Sequence, residues 1–152
     1  MSYIESNLGK DERVKYFAEV HWIIFVLPIM GLIFSLFIFT FVSVTENERE
    51  VPNLMILIIS LIYLIKALVY KMTTELAITN KQVISKHGLI QRDTMELKLN
   101  KVESLTVSQG IIERIVGAGT IIVTGTGGGK NKIKSISNPL VFKKKVLDLI
   151  ED

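Results

Sequence analysis

Hydrophobic and polar positions divide the chain into two regimes. From Val20 to Thr45 there is no Asp, Glu, Lys or Arg. A second run, Val51 to Tyr70, contains one charge, Lys66. A helix needs roughly 20 apolar residues to cross a hydrocarbon core, and both runs meet that length. Core helices of soluble proteins keep a polar stripe, and neither run has one. The pattern therefore predicts two transmembrane helices, over 20–44 and 51–70. Trp22 stands at a position suited to the headgroup boundary. Pro28 falls inside the first run, where a membrane helix tolerates it. Pro52 falls in the first turn of the second, where its missing N–H costs nothing. Lys66 is close enough to the helix end to carry its ammonium to the interface.

Beyond Tyr70 the period shortens. Thr74–Ile78 and Gln82–His87 read as strands, separated by Thr79-Asn80-Lys81, with Asn80 supplying the left-handed residue of a tight turn. His87-Gly88 marks another turn. Gln91–Leu99 and Val102–Gln109 alternate apolar and polar residues, the mark of half-buried antiparallel strands. Ile111, Ile112, Ile115 and Val116 recur at helical spacing and predict one or two helical turns, which either close an end of the sheet or dip into the membrane interface as a small amphipathic helix; closure is the commoner role of such a turn. Thr120–Thr124 is a β-branched run and a buried strand, and Lys132–Ile136 is its expected partner. A helix follows from Pro139 to about Ile150 with Asn138 as its cap. Phe142, Val146, Leu149 and Ile150 form its inward stripe. The fold class expected is a membrane-anchored α+β protein: a two-helix hairpin, then an antiparallel β domain closed by a C-terminal helix. The divisions are a segment 1–19, a hairpin 20–70 and a domain 71–152.

Charge sharpens this division. Residues 1–70 carry a net −2 and residues 71–152 a net +5. Lys10, Arg13 and Lys15 precede the first apolar run, and Lys71, Lys81 and Lys86 follow the second. The connection between them has Arg49 against Glu46, Glu48 and Glu50. The positive-inside rule then puts both termini in the cytoplasm and the loop outside, as expected for a multi-pass membrane protein. Gly31 and Ser35 form a small-xxx-small pair that permits close helix approach, within the hairpin or between protomers.

The stretch 76–129 carries an ordered series of short signals. Leu76-x-x-Thr79-Asn80-Lys81 is followed by Gly88-Leu89-Ile90, Lys101-Val102-x-Ser104, Gln109-Gly110, Arg114-x-x-Gly117-x-Gly119-Thr120 and a glycine-rich loop, with Asn138-Pro139 before the last helix. In this order it resembles the bacterial pleckstrin-homology-like domains that lie beside transmembrane segments. The resemblance implies two packed antiparallel sheets with a capping helix. It implies no catalytic residue and fixes no ligand.

Candidate chemistry is sparse. The chain has no cysteine, which excludes disulfides, thiolate nucleophiles and Cys-based zinc sites. Gly125-Thr126-Gly127-Gly128-Gly129-Lys130 departs from the phosphate-loop pattern: Thr124 replaces its first glycine and Asn131 its Ser/Thr. His21 and His87 lack companions at metal-ligand spacing; His21 is expected at the membrane interface and His87 in a turn. No nucleophile–base set is present, so neither an enzyme nor a cofactor is expected. The binding residues expected are Lys130, Lys132 and Lys134, which share one face of a strand, with Lys143, Lys144 and Lys145 on the last helix. Their natural partners are anionic lipid headgroups. A membrane protein partner and a homo-oligomer are compatible with the pattern. Nucleic acid is not, because no aromatic residues interleave the lysines. A second function class is immunity against pore-forming bacteriocin-type peptides, which the acidic loop would meet first.

Overall fold

In the computed structural model, residues 3–42, 50–88 and 93–151 are described, with side chains of 41–53 left aside. The chain forms two units, Trp22–Met72 and a globular unit made of Met1–His21 with Thr73–Asp152.

The first unit is helical. A 3₁₀ turn, Trp22–Phe25, leads into α2 (Val26–Val42), and α3 spans Glu50–Thr73. Both are long and apolar enough to cross a membrane, with mean hydropathy 2.6 over 22–40 and 2.1 over 54–73. Their large apolar side chains point outward, among them Phe34, Phe37, Leu61 and Ile65. The buried exceptions include Ser35 and Ser60. A Cβ on Gly31 would overlap the Ser60 hydroxyl. The small residue thus lets α2 and α3 of one chain approach, which places Gly31 of the small-xxx-small pair inside the hairpin.

The globular unit contains a short helix α1 (Tyr3–Ser6) and two antiparallel sheets. The first has the order β1-β2-β3-β4, with β1 Val14–Ala18, β2 Glu75–Thr79, β3 Gln82–His87 and β4 Asp93–Lys98. The second has the order β5-β6-β7, with β5 Val102–Ser108, β6 Ala118–Gly125 and β7 Lys130–Ser137. Between β5 and β6 lies α4 (Ile111–Val116), and α5 (Pro139–Glu151) closes the unit. The strands anticipated from alternation are present, although residues 91 and 92 of the run Gln91–Leu99 lie outside the described part. The last residue of that run, Leu99, opens a 3₁₀ turn, Leu99–Lys101.

Residues 1–19, expected as a separate segment, are built into this unit. β1 pairs with β2, with Ala18 opposite Leu76 and Val14 opposite Thr79. The two apolar helices are therefore inserted between β1 and β2 rather than placed ahead of a self-contained domain. Five residues, three of them flanked by charges, give too short an alternation to stand out beside an apolar run.

Alternation along β2 and β3 sets Ala77 and Ile84 on one face, with Leu76, Ile78, Val83 and Ser85 on the other. The second face meets the β5–β7 sheet: Asn131 on β7 donates to the Ser85 hydroxyl at 2.7 Å. The first face is covered by the N-terminal segment, where fully buried Ile4 packs on Ala77 and Ile84. This is why β2 and β3 are apolar on both faces and read as near-continuous runs. Ile121, Val123, Ile133 and Ile136 line the inner side of the second sheet, and Phe142 and Val146 of α5 are fully buried. Leu149 is half-buried, and Ile150, expected on the inward stripe, is exposed. Leu149 and Ile150 instead line an open cleft with Asn80, Lys81, Lys98 and Asn100.

Candidate functional site: a lysine row at the end of the domain where the apolar helices attach

The motif Thr79-Asn80-Lys81 is where the N-terminal segment is fastened. Asn80 does not adopt a left-handed backbone among the positive-φ residues. It works instead through its amide, which accepts from the Arg13 N–H at 2.8 Å and donates to the Asp11 carbonyl at 3.0 Å. Lys81 Nζ donates to the Lys10 carbonyl at 2.6 Å. The Thr79 hydroxyl lies 2.6 Å from Glu12 Oε1 and accepts from the N–H groups of Lys81 and Gln82. Glu12 Oε2 accepts from the Gly9 N–H at 2.8 Å. Burial opposes ionisation of Glu12, but these hydrogen bonds and nearby Lys81 outweigh it and hold its carboxyl below the ordinary 4.5. The clasp is structural, and its partners lie nearly 70 residues away in sequence.

The same segment then reaches the second sheet. The Ser137 N–H donates to the Glu19 carbonyl at 2.9 Å, Val20 bridges to Ile136, and the His21 N–H donates to the Ser135 carbonyl at 2.6 Å. His21, expected at a membrane interface, is buried in this junction, while Trp22 beyond it is 56% exposed. The chain thus leaves the globular unit beside β7. It returns at Thr74, one residue before the pair Glu75–Lys86, so Thr74 falls opposite His87. Both attachment points lie at one end of the first sheet, and β7 runs across that end from Asn131, bonded to Ser85, to Ser137, bonded to Glu19.

Lys130, Lys132 and Lys134 are the exposed alternate residues of β7, with Ile133 buried on the opposite face. Sharing a face, as alternation predicts, they form a row along the attachment end. A groove of about 420 Å³ opens between this row and the β3–β4 corner, lined by His87, Asp93, Met95, Lys130, Asn131 and Lys132 among others. His87 Nε2 lies 3.4 Å from Asp93 Oδ2. Among the described residues, the buried side-chain polar atoms without a partner are His87 Nδ1 and Thr74 Oγ1. Their residues are opposite one another at this corner. Unsatisfied buried polar atoms are uncommon in folded proteins, and both of these fall at the corner that carries Lys130 and Lys132.

The glycine-rich stretch closes the β6–β7 hairpin over the groove. Gly128 has φ +75 and its N–H donates to the Gly125 carbonyl at 2.9 Å. Nothing lies within 4 Å of a Cβ on Gly127, Gly128 or Gly129. It is a hairpin turn, as the broken phosphate-loop pattern indicates.

Lys143, Lys144 and Lys145 do not join the β7 row. β7 spans about 23 Å between Lys130 and Ser137 at strand rise, and α5 begins only after it. Lys145 Nζ sits 4.8 Å from the Tyr16 ring, which itself lies 6.3 Å from the Phe142 ring. One member of the triple is thus turned onto β1, a contact invisible without that strand. Of the acidic loop, Glu46 and Glu48 lie outside the described residues, as does the side chain of Glu50. Among the described residues no three His, Asp or Glu side chains converge in a way that would hold a metal.

A four-stranded and a three-stranded antiparallel sheet, packed face to face and closed by a C-terminal helix, define a pleckstrin-homology-like sandwich. The chain belongs to the bacterial PH domain family, whose model matches residues 17–151. The match begins within β1 and runs through the inserted helices, in agreement with the strand pairing. Neither curated proteins nor solved structures gave a match.

Proposed function

We propose that this protein is a non-enzymatic inner-membrane protein whose PH-like domain binds anionic phospholipid headgroups through the β7 lysine row. PH-like domains are in general binding modules rather than catalysts. The observation that carries the reading is the position of Lys130, Lys132 and Lys134 at the end of the domain where two bilayer-length apolar helices attach. With α2 and α3 spanning the membrane and both termini cytoplasmic, that end faces the inner leaflet. Each lysine near such a surface contributes on the order of 1 kcal/mol at physiological salt. The groove beside His87 gives one headgroup phosphate a place to bind, with Lys130 and Lys132 as counter-charges.

The test uses the globular unit as a single chain, residues 3–21 joined to 73–152 by a short Gly/Ser linker. Co-sedimentation with vesicles is expected to rise with anionic lipid content and to fall as salt is raised. Changing Lys130, Lys132 and Lys134 to Gln is expected to abolish it, and changing Lys143, Lys144 and Lys145 to reduce it less. Equal binding to neutral and anionic vesicles, or an unaffected β7 triple variant, would refute the proposal.

A further inference from the structure

The isoleucines of α4 were expected to close an end of the sheet, and they do not. Ile111, Ile112 and Ile115 are 84%, 69% and 80% exposed. Yet the helix that carries them is firmly held. The Gly110 N–H donates to Glu113 Oε2 at 2.8 Å, and the Arg114 N–H to the Gly110 carbonyl at 2.9 Å. Gly117 ends the helix with φ +77 and donates to the Glu113 carbonyl. Gln109 Nε2 reaches across to the Ala118 carbonyl, and the Asn138 N–H donates to the Gly117 carbonyl at 2.7 Å. A Cβ on Gly119 would press on Pro139 at 2.9 Å and on the Ser108 carbonyl at 3.1 Å, so only glycine permits this packing. Three apolar side chains are thus displayed by a rigid, doubly capped turn rather than by a loose loop.

Their place in the fold says what they meet. Ala118, directly after the helix cap, pairs with Ser137 at the end of β7. Two residues back along β7, Ser135 accepts from His21, the last residue before the apolar stretch. Two strand spacings and two residues of rise set α4's exit within roughly 12 Å of that point. α4 therefore flanks one end of the lysine row, as the glycine hairpin flanks the other. Three side chains fall well short of the roughly 800 Å² per partner of a stable protein interface. They suit a domain already tethered to a bilayer, where apolar side chains gain from burial without a complementary shape.

We infer that α4 is a membrane anchor: Ile111, Ile112 and Ile115 enter the acyl–headgroup boundary of the bilayer crossed by α2 and α3, and Arg114 lies at headgroup level. The inference rests on the reading that those two helices cross a membrane. It does not require the lysine row to bind headgroups.

Because the chain has no cysteine, single-cysteine variants carry one probe each. Full-length protein with Ile115→Cys, Ile112→Cys or Asn100→Cys is labelled with a polarity-sensitive fluorophore and reconstituted at about one copy per vesicle. Asn100 is exposed in the Leu99–Lys101 turn, away from α4. The expected result is a blue-shifted emission at 112 and 115, several-fold less quenching by aqueous iodide than at 100, and strong quenching by lipids carrying a nitroxide near the headgroup. Iodide quenching at 112 and 115 equal to that at 100 would overturn the inference. So would protection that appears only at many copies per vesicle, since that identifies a second copy as the cover. With Lys130, Lys132 and Lys134 changed to Gln the labels are expected to stay protected. Loss of anionic-lipid binding in the vesicle assay therefore fails or succeeds separately from the α4 result.

Discussion

Phe142 and Phe34 are the same residue under opposite rules. Phe142 is 0% exposed in the globular unit and Phe34 is 56% exposed on α2. In the globular unit the apolar side chains turn inward and the charges outward. In the helical unit, the apolar side chains turn out, while small polar residues, Ser35 and Ser60, are buried between helices. One chain thus carries two opposite arrangements of apolar surface. The globular unit gains from removing apolar surface from water. A helix pair crossing a membrane would gain nothing from that between its own helices and would rely on close approach of small residues. In the chain, the helices are inserted between β1 and β2, which pair with each other within the globular unit.

The largest test of that comparison removes the helical unit. Residues 3–21 joined to 73–152 by the same short linker are expected to fold, since Ala18 and Leu76 are already neighbours. Residues 74–152 alone lack β1 and Ile4, and are expected to lose cooperative unfolding in circular dichroism melts. Comparable melts for both would mean that β1 is dispensable.

The phenylalanine pair gives the next largest contrast. Phe142→Ala is expected to lower the stability of the globular unit by about 3–5 kcal/mol. Phe34→Ala should change it by less than about 0.5 kcal/mol, as for a surface substitution. Denaturant titrations of the full-length protein in detergent, followed through hydrogen exchange of the strand amides, measure both.

Gly31→Leu forces bulk against Ser60. It is expected to cost the helix pair about 1–3 kcal/mol, while leaving the strand amides unaffected. Proteolysis of the protein in detergent reads out the hairpin. Gly127→Ala, with open space around it, is the neutral counterpart.

An effect of similar size belongs to the clasp. Thr79→Val leaves Glu12 without its hydroxyl donor and the Lys81 and Gln82 amides without an acceptor, at about 1–3 kcal/mol. Since the folded pKa of Glu12 is depressed below 4.5, its contribution is fully present above that value. It is lost as pH falls through the folded pKa. Melting temperature should therefore drop below about pH 4.5 more steeply in the parent than in Glu12→Gln.

Much of this architecture is readable in sequence. The apolar runs, β3, β6 and α5 follow from periodicity, because each residue's role there is set by neighbours a few positions away. Three features are not. β1 is a five-residue strand between charges and an apolar run. The Thr79-Asn80-Lys81 clasp acts on residues 9–13. The orphaned His87 Nδ1 becomes meaningful only beside β7. The first two depend on contacts formed across the inserted helices, and the third on β3 meeting β7 across the two sheets. The candidate lysines divide in the same way: alternation shows that Lys130, Lys132 and Lys134 share a face, but only strand pairing shows where that face lies. Sequence also gives no sign that Ile111, Ile112 and Ile115 stay exposed, since helical spacing describes an apolar face without saying what covers it.

The most direct measurement concerns the insertion itself. Single cysteines at Glu46, between the helices, and at Asn100, in the globular unit, are reacted with a membrane-impermeant maleimide in intact cells. With the helices spanning the membrane, Glu46→Cys is labelled at once, and Asn100→Cys only after the inner membrane is permeabilised. Labelling of both in intact cells, or of Asn100→Cys alone, would contradict a cytoplasmic PH-like domain carrying a transmembrane hairpin between its first two strands.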